Sequence, residues 1–204
     1  MESRIIFCLL IVFVPTVNGK AVELSNKPTI DPRVPCNVIF WLDASREAWA
    51  HFGTQTTLLK NFAALAFIKY SSSNFLLRFG LSVLGQDESP DMGTFCNTYD
   101  QFATYLNGFE HDAALEYATG DTIKNTIDTA NRVTFLKNSM LFFFTNSNQT
   151  EVDAAANNQK RDLTYAYAIS GANITRVANP LASDNFPGAL EGVIEQFCQN
   201  ISAI

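Results

Sequence analysis

The apolar run Val38-Ile-Phe-Trp-Leu42 has no polar alternation and ends on Asp43-Ala-Ser-Arg-Glu47. A run of this kind reads as a strand buried on both faces, so helices must cover both sides of its sheet. Few architectures satisfy that demand, and an α/β domain with a mostly parallel sheet is the one that fits. The same strand delivers an Asp carboxylate and a Ser hydroxyl to its C-terminal end, the edge where open α/β sheets bind ligands.

The rest of the chain keeps the alternation of short apolar runs with amphipathic stretches. Phe52 to Tyr70 is expected as a helix, with Leu58, Phe62, Leu65 and Lys69 at helical spacing. Leu76 to Leu84, Met140 to Phe144 and Leu163 to Ile169 read as further strands, the last terminated by Gly171. Thr94 to Leu106 and Thr122 to Asn131 read as helices, and Pro187 opens a final helix with Leu190, Val193, Ile194, Phe197 and Cys198 on one face. No repeat, heptad array or low-complexity tract interrupts this order.

Residues 1–19 read as a signal peptide: a short polar start, an apolar stretch from Ile5 to Val17, and small or short residues at Val17-Asn-Gly19. That stretch is too short to span a bilayer, and no other segment approaches spanning length. Residues 20–35 hold three Pro and little apolar periodicity, and are expected as an extended lead before a single domain over 36–204. About 185 mature residues can bury one large core, and 17 Phe supply it. The net charge of −6, without a Lys/Arg cluster, lacks the electrostatic footprint of a nucleic-acid binder. Sequons at Asn148, Asn173 and Asn200 agree with a secreted, glycosylated extracellular protein.

The Asp43-x-Ser45 strand end, the long first helix, the strong strand ending before Thr145, the Ala166-Tyr-Ala-Ile-x-Gly171 segment and the terminal helix ending near a Cys resemble a von Willebrand factor type A domain in both motif and order. The resemblance spans about residues 36 to 200. It implies a doubly wound α/β fold that binds protein ligands, often through a divalent cation held by an Asp-x-Ser-x-Ser run, a Thr in a middle loop and the Asp of a Thr-Asp-Gly turn. Carried onto this chain, the set is Asp43, Ser45, Glu47, Thr122 (or Asp121) and Asn146. Two positions depart: Glu47 stands for the second Ser, and Thr145-Asn146-Ser147 for Thr-Asp-Gly. Mg²⁺ demands a near-ideal octahedral oxygen shell, so a longer carboxylate at 47 disturbs geometry, and Asn146 removes a full negative charge. The expectation is a degenerate metal site with no cofactor; retention of Mg²⁺, Mn²⁺ or Ca²⁺ is the alternative. Otherwise Asp43 and Ser45 simply cap loop amides.

Cys36 lies just before the first strand, and the last helix returns Cys198 toward the same edge; some type A domains close their ends with such a bridge, so Cys36 and Cys198 are expected as a disulfide. Cys96 is left over, as a buried thiol or an intermolecular partner.

Chemistry of its own is not indicated. His51 and His111 lack metal-ligand spacing, a Cys96/His111 pair has no supporting signature, and Asp87, Glu88 and Asp91 read as a solvated turn. The expected function is binding of an extracellular protein or glycan through loops at the C-terminal edge of the sheet, without metal. Metal-dependent adhesion is the alternative, and a hydrolase on the same layers is the reading from a different class.

Overall fold

In the computed structural model the described residues are 31–46, 48–84, 95–111, 122–132, 139–156, 163–181 and 186–203. The signal-peptide assignment and most of the N-terminal lead lie outside them, as do Glu47, Asp121 and the Asp87–Asp91 turn. Elements follow in the order β1 (Val34–Leu42), α1 (Trp49–Lys69), β2 (Phe75–Val83), α2 (Tyr99–His111), α3 (Thr122–Arg132), β3 (Met140–Thr145), α4 (Gln149–Ala155), β4 (Thr164–Ala168), β5 (Asn179–Pro180) and α5 (Phe186–Ser202). All strand pairings are parallel, in the sheet order β2-β1-β3-β4-β5. This is the doubly wound α/β fold that the buried first strand demands.

Alternate residues of β1 feed two cores. Val38, Phe40 and Leu42 face a layer built from α1, α2 and α5, while Ile39 and Trp41 face α3 and α4. The first core is a Phe network: the Phe40 ring lies 5.2 Å from Phe79, 5.9 Å from Phe142, 6.2 Å from Phe102 and 6.4 Å from Phe62, all edge-to-face. Such pairs add specificity beyond area burial, about 0.5–1.5 kcal/mol each.

Four expectations need correction. β1 starts at Val34 rather than Val38, because the register from Val34↔Phe75 to Leu42↔Val83 pairs it along its whole length with β2, and so the strand reaches into the stretch assigned to the lead. α2 begins at Tyr99, not Thr94: Cys96 exchanges both backbone bonds with Phe79, 2.8 Å each, as an antiparallel bridge on the outer edge of β2. Thr98 Oγ1 then accepts from Gln101 N at 3.4 Å and starts the helix. α4 and β5 were not expected at all. α4 has seven residues and buries only Val152 and Ala155, and β5 is a two-residue edge strand ending on Pro180, a residue tolerated at sheet edges.

Cys36 and Cys198 form a disulfide, with a Cα–Cα distance of 5.4 Å, pinning the end of α5 to β1. Cys96 keeps a buried thiol, its pKa raised by desolvation. Gly171 takes φ +76°, a left-handed conformation that ends β4 cheaply only as glycine.

Candidate functional site

β1 hands the chain to β2 on one side, while β3 hands it to β4 on the other. Between the C-terminal ends of β1 and β3 the connections diverge, and this topological switch point is where open α/β sheets form their binding crevice. Asp43 follows β1 and Asn146 follows β3, so the topology brings these sequence-predicted residues together.

Asp43 is only 2% exposed. Its Oδ1 accepts the Ser45 amide at 3.0 Å and its Oδ2 accepts the Asn146 amide at 2.6 Å. The carboxylate thus bridges the β1–α1 loop to the end of β3. The backbone of Asp43 is fixed from a third direction: its N–H donates to Gln55 Oε1 and its C=O accepts from Gln55 Nε2, each at 2.9 Å. Gln55 is buried on α1, and its paired bonds prolong the hydrogen bonding of β1 one residue past the strand.

Ser45 serves its own loop, accepting the Ala48 amide on its carbonyl at 3.1 Å and on Oγ at 3.3 Å. After β3, Thr145 Oγ1 donates to Ser147 Oγ at 2.9 Å and accepts the Ser147 amide at 3.0 Å. Ser147 O accepts from Ser170 Oγ at 2.6 Å, which ties the β3 loop to the β4 loop. Asn148 then caps α4 in a reciprocal box: its side chain accepts from Glu151 N at 3.1 Å, and Glu151 Oε2 accepts from Asn148 N at 2.9 Å. Gln149 reaches across to the backbone of Asn173, accepting its N–H at 2.9 Å.

The fit to a divalent cation follows from these bonds. Asp43 is the one carboxylate of the expected set that the described side chains include, and each of its oxygens already accepts a backbone amide. Among the described residues no group of three or more His, Cys, Asp or Glu side chains is gathered in a way that would hold a metal ion. Of the expected oxygen set, the described residues place the Asp43 carboxylate, bonded to the Ser45 and Asn146 amides, and the Ser45 hydroxyl, bonded to the Ala48 amide. Glu47 lies outside the described residues, and Thr122 is placed as the first residue of α3. Ile123 and Lys124 beside it line a cavity of about 220 Å³ with Ser147 and Thr150, which sets the start of α3 next to the β3 loop.

Gln55 escaped sequence reasoning because its role is a long-range bond rather than a pattern. Its signal was a polar residue on the buried stripe Phe52, Gln55, Thr56, Leu59.

A parallel sheet of order β2-β1-β3-β4-β5, helices on both faces, and an Asp-x-Ser loop locked to the end of the neighbouring strand settle the architecture. It is the doubly wound α/β architecture that the von Willebrand factor type A resemblance implies. Neither a known family profile nor a curated protein matches the sequence. Two solved structures of proximal thread matrix protein 1 from the mussel byssus are similar to it. One superposes at 13% identity and TM-score 0.47, covering 81% of this chain and 47% of the other. The second, described with a zinc occupied MIDAS motif, gives 14% identity and TM-score 0.48, covering 81% of this chain and 48% of the other. The chain thus spans about half the length of either structure.

Proposed function

We propose that this type A-like domain is a secreted binding protein that engages an extracellular protein or glycan through the loops at the carboxyl edge of its sheet, without metal and without chemistry of its own. The observation that carries the reading is the Asp43 carboxylate, buried at the switch point with both oxygens committed to backbone amides. A carboxylate used in this way fixes two loops relative to each other and so presents a rigid surface, the preorganisation that recognition needs. The disulfide accords with an oxidising compartment.

Two measurements test this. Thermal stability is expected not to respond to millimolar Mg²⁺ or Mn²⁺, and capture of a partner from extracellular fluid is expected to survive a chelator. The double substitution Glu47→Ser with Asn146→Asp restores the type A oxygen set and is expected to create metal-dependent stabilisation, about 2.7 kcal/mol at 100 times the dissociation constant. A clear Mg²⁺ shift in the unmodified protein that disappears in Asp43→Ala would overturn the metal-free reading and favour metal-dependent adhesion.

Asn148, Asn173 and Asn200 are exposed, and we assign them as glycan acceptors. At Asn148 the helix cap uses Oδ1, and at Asn173 Oδ1 accepts the Thr175 amide at 3.1 Å and hydroxyl at 2.8 Å. The side-chain nitrogen, which carries the sugar, is not what these bonds employ, so a glycan and the local turn coexist. Secreted protein is expected to lose mass on glycosidase treatment; an unchanged mass equal to that of the polypeptide rules the assignment out.

A further inference from the structure

Asn173, in the loop after β4, is held from several directions at once. Its backbone N–H donates to Gln149 Oε1 at 2.9 Å, and its C=O accepts from Gln149 Nε2 at 3.4 Å. Its side-chain Oδ1 accepts both the amide and the hydroxyl of Thr175, at 3.1 and 2.8 Å. The next residue, Ile174, is only 3% exposed and belongs to the core layer of Trp41 and Val177. Backbone and Oδ1 are thus fixed, and none of these bonds employs Nδ2, the nitrogen that carries the sugar of a filled Asn173-Ile-Thr175 sequon.

The same residue lines a cavity of about 200 Å³ together with Tyr167, Ala172, Ile174, Pro180 and Leu181. Asn148 differs in this respect, for it does not line the 220 Å³ cavity that Thr150 of its own sequon reaches. No charged side chain lines the cavity beside Asn173, which suits a neutral occupant. Its walls are apolar yet open to water: Tyr167, Ala172 and Leu181 are half-buried, and Pro180 is exposed. They are also fixed. Tyr167 packs edge-to-face on Phe144 and Phe186, with ring centroids 6.1 and 5.6 Å away, and the Leu181 N–H donates to Ala166 O at 2.9 Å. A pyranose ring matches such a wall, because its C–H face is apolar while its hydroxyl and acetamido groups stay in water. The occupant needs no separate capture. The acceptor side chain is part of the wall, and a covalent tether this short makes docking intramolecular.

We propose that the first N-acetylglucosamine of a glycan on Asn173 docks in this cavity, against Tyr167, Pro180 and Leu181, and stabilises the β4–β5 end of the carboxyl edge. The inference rests on the assignment of Asn173 as a glycan acceptor and makes that sugar a structural part of the domain.

Peptide mapping of the secreted protein, followed by melting of two preparations, is the test. Thr150→Ala with Ser202→Ala removes the other two sequons and leaves Asn173 alone. One preparation carries a high-mannose glycan trimmed by endoglycosidase H to a single N-acetylglucosamine; the other is made without N-glycans, so its Asn173 is unmodified. The trimmed protein is expected to melt about 2–4 °C higher, a shift of the size that one well-packed contact gives a domain of this length. Its sugar protons are expected to show nuclear Overhauser contacts to the Tyr167 ring and the Leu181 methyl groups. Should the preparation without glycan fail to fold, these contacts in the trimmed protein decide the question. Secreted protein with no glycan on Asn173 would overturn the acceptor assignment and the docking together. A glycan present there, with equal melting of the two preparations or with sugar protons that touch nothing in the domain, would overturn the docking alone.

Discussion

Replacing Cys36 and Cys198 together by Ala is expected to lower the unfolding free energy by about 5 kcal/mol. The bridge spans 162 residues, and chain-entropy reasoning assigns a loop of that length roughly this much restriction of the unfolded ensemble. Loss of the bridge also frees the end of α5, which carries Phe197 and Ile194 into the core around Phe40 and Phe142. For a domain of this size, 5 kcal/mol corresponds to a fall in Tm on the order of 10–20 °C. Both sulfurs are fully buried, so the double Ala variant is a better probe than added reductant, which reaches them only after unfolding. Urea unfolding of the two proteins measures the difference. A change below about 1 kcal/mol would show that packing, not the crosslink, holds α5 to β1.

The sequence made the scaffold legible where an element was buried on both sides. Val38–Leu42 and Met140–Phe144 have no polar residue, and an unbroken apolar run of strand length has almost no other use in an α/β chain. Short, half-covered elements were illegible. α4 hides behind a seven-residue length, and its one clear mark is the capping pair Asn148 and Glu151, which also looks like a polar loop. The start of α2 failed for a different reason: Phe95 and Cys96 are apolar enough to continue a helix, but the open edge of β2 recruits Cys96 into a backbone bridge, a tertiary demand that no local pattern announces. The site divides in the same way. Strand ends were predictable, so Asp43 and Asn146 were expected as neighbours. That the backbone of Asn146, rather than its side chain, meets the Asp43 carboxylate is a matter of loop conformation and needed coordinates.

That backbone contact makes Asp43→Ala a sharp experiment. The substitution removes two hydrogen bonds to a charged acceptor, at 3.0 Å from Ser45 N in a buried site and at 2.6 Å from Asn146 N in a partly buried one. Bonds to a charged group contribute about 1.5–3 kcal/mol each, so the expected destabilisation is about 3–5 kcal/mol after some relief from no longer burying the carboxylate. Asp43→Asn retains one acceptor but turns an amide N–H₂ toward the other N–H, so it is expected to lose about half as much. The decisive comparison is between buffers. If Asp43 is a structural peg, the cost of Asp43→Ala is the same in chelator as in millimolar Mg²⁺, because its partners are backbone amides present in both. If the carboxylate served a cation instead, the cost would be large in Mg²⁺ and nearly vanish in chelator, where an uncompensated buried charge is better removed than kept. A peg also predicts the functional consequence. With the β1–α1 loop and the end of β3 no longer tied together, partner binding is expected to weaken in Asp43→Ala even under conditions where the domain remains fully folded, and adding metal is expected not to restore it.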